Sequence, residues 1–379
     1  MPVRIVAVTG AAGNLGTILC KKLYERGIKV FALARASDPI ERIKPYVAEL
    51  IVGSITNPAD IRTLLNGADA VVNCAALLPA SLALGEENFF NVNVKGAQVV
   101  LEEAHYHSIK KLVFLSTIGV LNHSFFLSKT DMFKYRTQGL DHYSRSKIAL
   151  EKMLFKEGSS KKLDITILRP SFIYGPTFVS FWAEALETIK CKKMYLLGSG
   201  QGLFPLVHGD DVANYIIDRL EKPVDLGLPK VLYATDPFPM TTRNLFNLFA
   251  NYFDVPAPRS IPTTIAYCAA NIVELLPRFL RLNRLKLLTV RRVREYSTGY
   301  DLSAFLEAED FDFNPRISIE KGMISMLDAF EDERRNAIST KNISHRRHWT
   351  YWFKSDANSL HKKPPLSSSH PKQVPFDRD

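Results

Sequence analysis

Tyr143 and Lys147 are the pair of residues in this sequence whose types and spacing most clearly predict chemistry. On a helix, side chains four residues apart are neighbours on one face. A tyrosine with a pKa of ~10 is a poor base at neutral pH. A cation about 4 Å away, at an effective dielectric constant of ~20, contributes ~4 kcal/mol, which would bring that pKa towards ~7. The pair therefore predicts a proton-transfer site, although Tyr-x-x-x-Lys also arises by chance on exposed helix faces.

A hydroxyl group is the natural companion of such a tyrosine, because it can hydrogen-bond the reacting oxygen and hold it in place. Ser116 and Thr117 lie at the end of a predicted strand, one strand–helix step before Tyr143. Either hydroxyl could instead only satisfy the polar groups at the strand end. On spacing alone, both remain candidates.

A glycine-rich turn follows the first predicted strand, with glycines at 10, 13 and 16. Glycines permit a tight turn and a close backbone approach to a diphosphate, and the N-terminus of the following helix attracts negative charge. A glycine triplet alone is weak evidence, but its place between a strand and a helix makes it specific. The residues of this turn that we expect to bind a dinucleotide are Gly10, Ala12, Gly13, Asn14, Leu15 and Gly16.

Arg35 ends the second predicted strand, where the ribose of the cofactor is normally recognised. An acidic residue there binds the 2′-hydroxyl of NAD, whereas a nearby arginine accommodates the 2′-phosphate of NADP. Arg35 favours NADP as the cofactor. The alternative is that Arg35 is only a solvated strand end and that Asp38 reaches the ribose of NAD.

The elements that must position these residues alternate between strands and helices over the first 120 residues. This order is typical of a parallel sheet covered by helices on both faces. A later helix, Tyr143–Phe155, carries the tyrosine and the lysine, and is followed by a strand, Ile165–Leu168. The earlier strand predictions are Val3–Val8, Val30–Ala34, Glu49–Val52, Ala70–Cys74 and Lys111–Ser116, and the earlier helix predictions include Leu15–Arg26 and Ala59–Leu65.

The pattern changes after Pro170, where predicted helices such as Thr241–Phe253 and Thr263–Leu276 dominate. We interpret residues 1–330 as one unit, with a dinucleotide-binding part over about 1–169 and a substrate lobe over about 170–330. Residues 331–379 lose periodicity and end in a segment rich in Pro, Ser, Lys and His, which predicts a basic, disordered tail.

Composition places the chain among ordinary globular proteins, with 46% hydrophobic residues. The cysteines at 20, 74, 191 and 268 form no metal-binding or redox spacing and predict buried, reduced thiols. A strand-like run starts at Val3 and no stretch reaches the ~20 apolar residues of a membrane span, so we expect no signal peptide and a cytoplasmic protein. The net charge of +10 permits nucleic-acid binding, but no recognition motif accompanies it, and we expect none.

Taken together, these motifs resemble the extended short-chain dehydrogenases/reductases, the superfamily of NAD-dependent epimerases and dehydratases. The resemblance covers about residues 3 to 330 and includes the Gly-x-x-Gly-x-x-Gly spacing, Leu168-Arg169-Pro170 and the turn that begins at His208-Gly209-Asp210. It implies a Rossmann-type doubly wound parallel sheet with a smaller, mainly helical C-terminal substrate lobe. It also implies an enzyme that uses NADP or NAD on a small-molecule substrate.

The resemblance implies roles for further residues. The family's active hydroxyl lies three residues before the Val of a Val-Tyr-Gly turn, which here selects Thr117 over Ser116, although Val120-Leu121-Asn122 departs from that turn. The family's Asn-Val-x-Gly element reads Asn-Val-Lys-Gly here. The resemblance implies that its asparagine, Asn93, supports the active site and its proton path. The remaining residues implied to lie against the cofactor are Ser54, Ile55, Ala75, Ala76 and Pro170, with Tyr143 and Lys147 also touching it, and Ser54 stands where the family has an adenine-binding Asp.

The closing segment, residues 311–322, is similar to that of 3β-hydroxysteroid dehydrogenase-like and sterol dehydrogenase proteins. The first functional hypothesis is therefore hydride transfer between NAD(P) and a secondary alcohol or ketone of a steroid-like or other apolar substrate. The second is a sugar-nucleotide epimerase or reductase, with the seven basic residues between Arg278 and Arg294 as a diphosphate site. The third is a non-catalytic cofactor-binding protein.

A membrane-facing surface is a further hypothesis. In the predicted helix Thr263–Leu276, apolar residues recur at helical spacing, and the basic run follows directly. Such a segment, 263–294, can lie at a membrane interface and contact it peripherally. The alternative, which we favour, is a core helix followed by a basic solvated one. A homodimer is a further hypothesis.

Overall fold

A seven-stranded parallel sheet forms the centre of the molecule, with the strand order β11-β6-β5-β4-β1-β2-β3. The computed structural model describes residues 2–78, 84–121, 135–136, 141–275 and 311–339, together with 290, 293, 297 and 299–300. The strands are β1 Ile5–Thr9, β2 Lys29–Ala34, β3 Glu49–Val52, β4 Ala70–Asn73, β5 Lys111–Leu115, β6 Asp164–Pro170, β7 Phe172–Tyr174, β8 Tyr195–Leu197, β9 Leu203–Phe204, β10 Leu206–His208, β11 Lys230–Ala234, β12 Met240–Thr241 and β13 Arg259–Ile261. The expected doubly wound sheet is confirmed.

Helices cover both faces of this sheet. On one face α1 packs against α7 over a core that includes Leu19, Leu23 and Ile216. On the other, α2, α4 and α5 enclose a second core. The helices are α1 Asn14–Glu25, α2 Pro58–Leu65, α3 Glu86–Phe90, α4 Gly96–Tyr106, α5 His142–Lys161, α6 Val179–Lys190, α7 Gly209–Glu221, α8 Thr242–Tyr252, α9 Thr263–Leu275 and α10 Ile319–Ser339.

The sheet strands form where short apolar runs can be buried on both faces. Every residue of β4, β5 and β6 is buried, as is typical of the interior of a parallel sheet. The predicted strand Glu49–Val52 is confirmed at both ends. The helix predicted over Tyr143–Phe155 is longer than expected: Asp141 caps its start, and it continues to Lys161.

A third core lies in the later part of the chain, between α6, α8 and α10. This part also returns to the sheet, because α7 packs on α1 and β11 pairs with β6. The division near residue 170 therefore stays a prediction. Helix α10 runs to Ser339, so the first nine residues of the expected tail, 331–339, are helical, and the rest of the tail lies outside the described residues.

The expectation that all four cysteines are buried needs correction. All four cysteines are free, but only Cys20 is buried and Cys74 partly so, whereas Cys191 and Cys268 are exposed because the helix ends and faces that carry them point outward. Within the described part of the chain, no helix combines the length and the apolar character that crossing a bilayer requires.

Candidate active site

The site lies at the carboxyl edge of the sheet between β1 and β4, the point where the strand order reverses. Open α/β sheets bind ligands in the crevice at this position. The Thr9 hydroxyl donates to the Asn73 side-chain oxygen at 2.6 Å, which joins the two strand ends, and accepts from the Ala75 backbone N–H at 3.4 Å. Ala75 and Ala76 thus follow β4 directly beside the glycine turn.

Backbone crowding explains the glycines of this turn. Gly10 has φ +62°, and a Cβ there would lie 2.7 Å from Cα of Ala75. A Cβ on Gly16 would lie 2.3 Å from the carbonyl oxygen of Gly10. Neither position can hold a side chain without moving backbone, so the turn keeps the main chain open to a close ligand.

The start of α1 completes a cradle that fits a dinucleotide diphosphate. Its N-cap residue, Gly13, offers no side chain to the first N–H groups, and helix α1 is twelve residues long. In its first turn the Thr17 hydroxyl oxygen is buried and has no hydrogen-bond partner in the described part of the protein. Asn14 and Leu15 are half-buried at this helix start, and Ala12 is buried beneath it. The expected phosphate-binding residues are thus brought together.

Arg35 and Asp38, the two alternatives for ribose recognition, form one ion pair. Arg35 Nη2 lies 2.8 Å from Asp38 Oδ1, and the Arg35 backbone N–H donates to Asp38 Oδ2 at 2.9 Å. The arginine side chain is 62% exposed and the aspartate side chain 16%. The end of β2 therefore presents a neutralised pair in which the cation faces solvent.

Asp60, which the sequence analysis did not select, lies beside the next part of the expected cofactor site. Its Oδ2 accepts the Ser54 backbone N–H at 2.8 Å and lies 2.4 Å from where a Cβ on Gly53 would be. A carboxylate is thus present near Ser54, where the family's own motif has one, but on α2. The signal in the sequence was an acidic residue in the first turn of a helix that Asn57 caps and that starts at Pro58. Ile55 is buried.

Tyr143, Thr117 and Lys147 come together where β5 ends and α5 begins. Asp141 caps α5 by accepting the Ser144 N–H at 2.7 Å, which places Tyr143 in the first turn. The Tyr143 phenol is hydrogen-bonded to the Thr117 side chain. Lys147 Nζ is 5.9 Å from the centre of the Tyr143 ring and donates to the Leu115 carbonyl oxygen at 2.7 Å.

The protonation of this site differs from the expectation. Burial and, to a smaller extent, the charge of Asp141 raise the pKa of Tyr143, while the Thr117 hydrogen bond acts in the opposite direction. Burial lowers the pKa of Lys147 to about 8. The expected lowering of the Tyr143 pKa by Lys147 is therefore wrong for this structure, because the phenol is desolvated and the ammonium group is held by the Leu115 carbonyl. Tyr143 is a protonated phenol, suited to donating a proton.

Their hydrogen-bond partners distinguish the two hydroxyl candidates, Thr117 and Ser116. The Thr117 hydroxyl accepts the Gly119 N–H at 3.1 Å and contacts Tyr143. The Ser116 hydroxyl instead donates to the buried carboxylate of Glu151 at 2.5 Å. Thr117 is thus the hydroxyl that the structure brings to the tyrosine.

Asn93 lies behind the site. It sits in a π-helical turn, Asn91–Lys95, between α3 and α4. Its side-chain oxygen accepts the Leu77 N–H at 2.7 Å, and its amide donates to the Ser146 hydroxyl at 2.9 Å. Ser146 in turn donates to the Tyr143 carbonyl oxygen at 2.7 Å. Asn93 therefore ties the segment after β4 to the first turn of α5, and π-helical turns are frequent at such functional positions.

Pro170 is the last residue of β6 and pairs with Ala234 of β11. It is buried at the same edge of the sheet as Thr117. Arg169, immediately before it, forms a buried ion pair with Glu151, a feature that the sequence analysis did not predict.

Comparison with known proteins agrees with this geometry. The family model for the NAD dependent epimerase/dehydratase family matches residues 6–232. The 2-alkyl-3-oxoalkanoate reductase of Shewanella oneidensis is 26% identical over 333 residues, which cover 83% of this chain and 84% of that protein. The sterol-4-alpha-carboxylate 3-dehydrogenase, decarboxylating, of Mus musculus is 26% identical, over 71% of this chain and 74% of that protein.

Solved structures show the same fold. The UDP-glucose 4-epimerase of Thermotoga maritima, solved with UDP-glucose, superimposes with a TM-score of 0.67 at 20% identity and covers 87% of this chain and 99% of that one. The family model spans more than half of the sequence, and the matched relatives are reductases, dehydrogenases and epimerases. The chain is therefore an enzyme of the NAD-dependent epimerase/dehydratase family, with the extended short-chain dehydrogenase/reductase fold.

Proposed function

We propose that the protein is an oxidoreductase that moves hydride between a nicotinamide cofactor and a secondary alcohol or ketone of an apolar substrate. The observation that carries this proposal is the convergence of Thr117, Tyr143 and Lys147 beside the glycine turn. A protein that only bound the cofactor would not need a desolvated phenol next to a buried lysine. The bound nicotinamide supplies or accepts the hydride, and the protein's own groups handle the proton.

Tyr143 is the proposed proton donor to a ketone oxygen, and the proposed acceptor in the reverse direction. Thr117 holds the same oxygen through its hydroxyl. Lys147, with a pKa of about 8, is largely cationic at neutral pH and is the proposed contact to the ribose hydroxyls. Asn93 keeps the first turn of α5 in place through Ser146.

The cofactor is proposed to be NADP, with NAD as the alternative. The glycine cradle accepts the diphosphate of either one. Arg35 is proposed to leave Asp38 for the 2′-phosphate of NADP, because a guanidinium binds a phosphate at least as well as a carboxylate. If Asp38 keeps Arg35 and faces the ribose, NAD is favoured.

A cluster of aromatic side chains near Pro170 is an argument for an apolar substrate. It begins two residues after Pro170 with Phe172, whose ring centre lies 4.8 Å from that of Phe204 and 5.7 Å from that of Tyr300. The two curated relatives described above are named as a reductase of 2-alkyl-3-oxoalkanoates and a dehydrogenase of a sterol carboxylate, which agrees with an apolar substrate.

The alternative is a sugar-nucleotide epimerase or reductase, which the epimerase-like fold favours. The basic run proposed as its diphosphate site lies outside the described residues, apart from two valines, Val290 and Val293, within it. Incubation with NADPH or NADH and a panel of 3-oxo acids and 3-oxosteroids tests the proposal. We expect net cofactor oxidation with a member of this panel. Interconversion of UDP-hexoses without net cofactor turnover would replace it with the epimerase.

Peripheral membrane contact through α9 is proposed as the way an apolar substrate arrives. Ala266, Ala270 and Val273 form the buried side of α9, so the apolar side with Ile272 and Leu275, 62% and 84% exposed, faces away from the core. This exposed face differs from the core helix that we favoured from the sequence. The basic run follows it in the chain, and each Lys or Arg near an anionic surface adds about 1 kcal/mol.

Sedimentation with anionic liposomes at physiological salt tests this contact. We expect wild-type protein in the pellet and the double variant Ile272→Glu, Leu275→Glu in the supernatant. Wild-type protein that stays in the supernatant would end the proposal. A homodimer is also a proposal. Size-exclusion chromatography with light scattering tests it by giving the mass of the protein in solution.

A further inference from the structure

A buried ion pair lies directly behind the proposed active site. Glu151 and Arg169 are 0% and 1% exposed, and they face each other through two contacts: Nε to Oε1 at 2.9 Å and Nη2 to Oε2 at 2.5 Å. Burying such a pair costs desolvation energy that apolar residues of similar size avoid. Stability alone therefore does not explain why this pair lies next to a reaction centre.

The pair adjoins site residues on every side. Glu151 follows Lys147 by one helical turn on α5, and Arg169 immediately precedes Pro170 at the end of β6. Ser116, whose hydroxyl donates to Glu151 Oε1 at 2.5 Å, immediately precedes Thr117. One carboxylate thus contacts the ends of two strands and the helix that carries the proton-transfer pair.

The contact through Ser116 reaches Lys147 along the main chain. The Ser116 backbone N–H donates to the Leu168 carbonyl oxygen at 2.7 Å, while its hydroxyl is bound to Glu151. These two bonds fix the Leu115–Ser116 peptide. The Leu115 carbonyl is the group that receives Lys147 Nζ at 2.7 Å.

We propose that Glu151 is a positioning residue for the reaction: held by Arg169, its carboxylate fixes the end of β5, which presents the Leu115 carbonyl to Lys147 and the Thr117 hydroxyl to Tyr143. This inference rests on the proposed function. Glu151 does not itself touch the reacting groups; it acts through Ser116 and through its charge.

The charge of Glu151 adds an effect that can be measured. Burial lowers the pKa of Lys147 to about 8, and the negative charge of Glu151 opposes that lowering. Loss of the Glu151 charge would leave the Arg169 cation uncompensated nearby. Both changes lower the pKa of Lys147 further, so its ammonium form would be lost at a lower pH.

The other groups around this pair do not titrate in the same range. Tyr135 and Tyr233 face the ion pair, and burial raises the pKa of each. Burial also raises the pKa of Cys74 to about 12. The phenol of Tyr143 is likewise raised. Lys147 is the member of this set that changes charge near pH 8.

The experiment uses the full chain and two variants. Ser116→Ala removes the link and keeps the ion pair, and Glu151→Gln removes the charge and keeps the shape. The first readout is the dissociation constant of NADPH, and of NADH, measured by nicotinamide fluorescence from pH 6 to 10 without substrate. The second is turnover of the fastest ketone of the panel. Thermal unfolding is measured in parallel.

We expect wild-type cofactor affinity to fall as Lys147 loses its proton near pH 8, and to fall about one pH unit lower in Glu151→Gln. Ser116→Ala should lower kcat about tenfold with little change in KM, since orientation is lost and binding is kept. The matched control is Glu103→Gln, which breaks the Arg62–Glu103 pair, also two-pronged at 3.0 and 2.8 Å, between α2 and α4. It should leave the pH profile unmoved.

Wild-type pH profiles and kcat in both variants would overturn the inference while leaving the proposed function intact. If Glu151→Gln fails to fold, Ser116→Ala and the double variant Glu151→Gln, Arg169→Met, which buries no charge at the pair, decide the matter by the same readouts. Failure of the proposed function itself is seen separately, as the absence of net cofactor oxidation across the panel.

Discussion

Two neighbouring regions at one edge of the sheet are built by different means. The glycine turn before α1 is shaped by main chain alone: bare Cα atoms pack against the backbone of Ala75 and Gly10. The first turns of α5 are shaped by side chains, with Tyr143 half-buried and Lys147 and Glu151 fully buried. The turn works by leaving space and free N–H groups, and the helix works by controlling protons. A steric change should damage the first, and a change of one polar atom should damage the second.

The sharpest separation of the two regions is Tyr143→Phe. It removes one oxygen from the start of α5 and leaves the glycine turn untouched. We expect ketone reduction to fall by about a hundredfold to ten-thousandfold, the usual contribution of a positioned acid. The cofactor dissociation constant should stay within about threefold, because the lost group transfers a proton rather than holding the diphosphate. Steady-state kinetics and fluorescence titration measure the two effects.

The control is Tyr106→Phe, on the exposed end of α4, which should change neither quantity. Near-normal reduction by Tyr143→Phe would contradict the proposed mechanism.

Gly16→Ala is the complementary variant, which changes the glycine turn and leaves the start of α5 untouched. The new methyl group would start 2.3 Å from the Gly10 carbonyl oxygen, so backbone must shift. We expect destabilisation of about 1–3 kcal/mol, as for other overpacked sites, and the loss of measurable cofactor binding. Chemical denaturation and fluorescence titration follow the two.

Gly85→Ala provides a matched comparison, since among the described residues other than its two chain neighbours no atom lies within 4 Å of its would-be Cβ, and its φ of −70° suits alanine. Wild-type cofactor affinity in Gly16→Ala would show that the turn tolerates side chains and does not form a close-fitting diphosphate cradle.

The buried lysine predicts a pH dependence of stability. The pKa of Lys147 is lowered in the folded protein to about 8, from an ordinary value of 10.5. Between these values the unfolded chain binds more protons, so stability rises with pH. Below pH 8 the protonated lysine costs about 3 kcal/mol, and this cost disappears as the pH approaches 10.5. No comparable term exists in the glycine turn.

The measurement is the difference in unfolding free energy between wild type and Lys147→Met at pH 7 and pH 10. We expect the unfolding free energy of the wild type, relative to that of Lys147→Met, to be larger at pH 10 than at pH 7. A difference that does not change with pH would mean that Lys147 is not desolvated as described.

The smallest expected effect concerns Arg35, an exposed side chain next to the turn. In Arg35→Ala, binding of NADPH should weaken about tenfold while binding of NADH changes little, because only the 2′-phosphate loses a partner. Asp38→Asn is the companion variant and should tighten NADPH by releasing the guanidinium. Tighter binding of NADH than of NADPH by the wild type would favour the NAD alternative.

Much of the fold could be predicted because its signals are local. The strand Glu49–Val52 matches at both ends, and the start of α9 at Thr263 was also predicted. Helix α5 was predicted too short, because its last turns lack a clear apolar period and end only where Lys162 adopts a left-handed conformation. Asp60 was missed because its closeness to Ser54 depends on how the loop after β3 folds back, which spacing does not reveal.

The sequence by itself determined the strand–turn–helix motifs, the glycines and the Tyr143–Lys147 spacing, since each depends on a few neighbouring residues. Only the tertiary structure decided which groups those residues meet. Lys147 turned to the Leu115 carbonyl, Ser116 to Glu151, and Thr117 to the phenol. These choices depend on strands and a helix distant in sequence that converge in a water-poor interior, where the cost of desolvation sets the charge of each group.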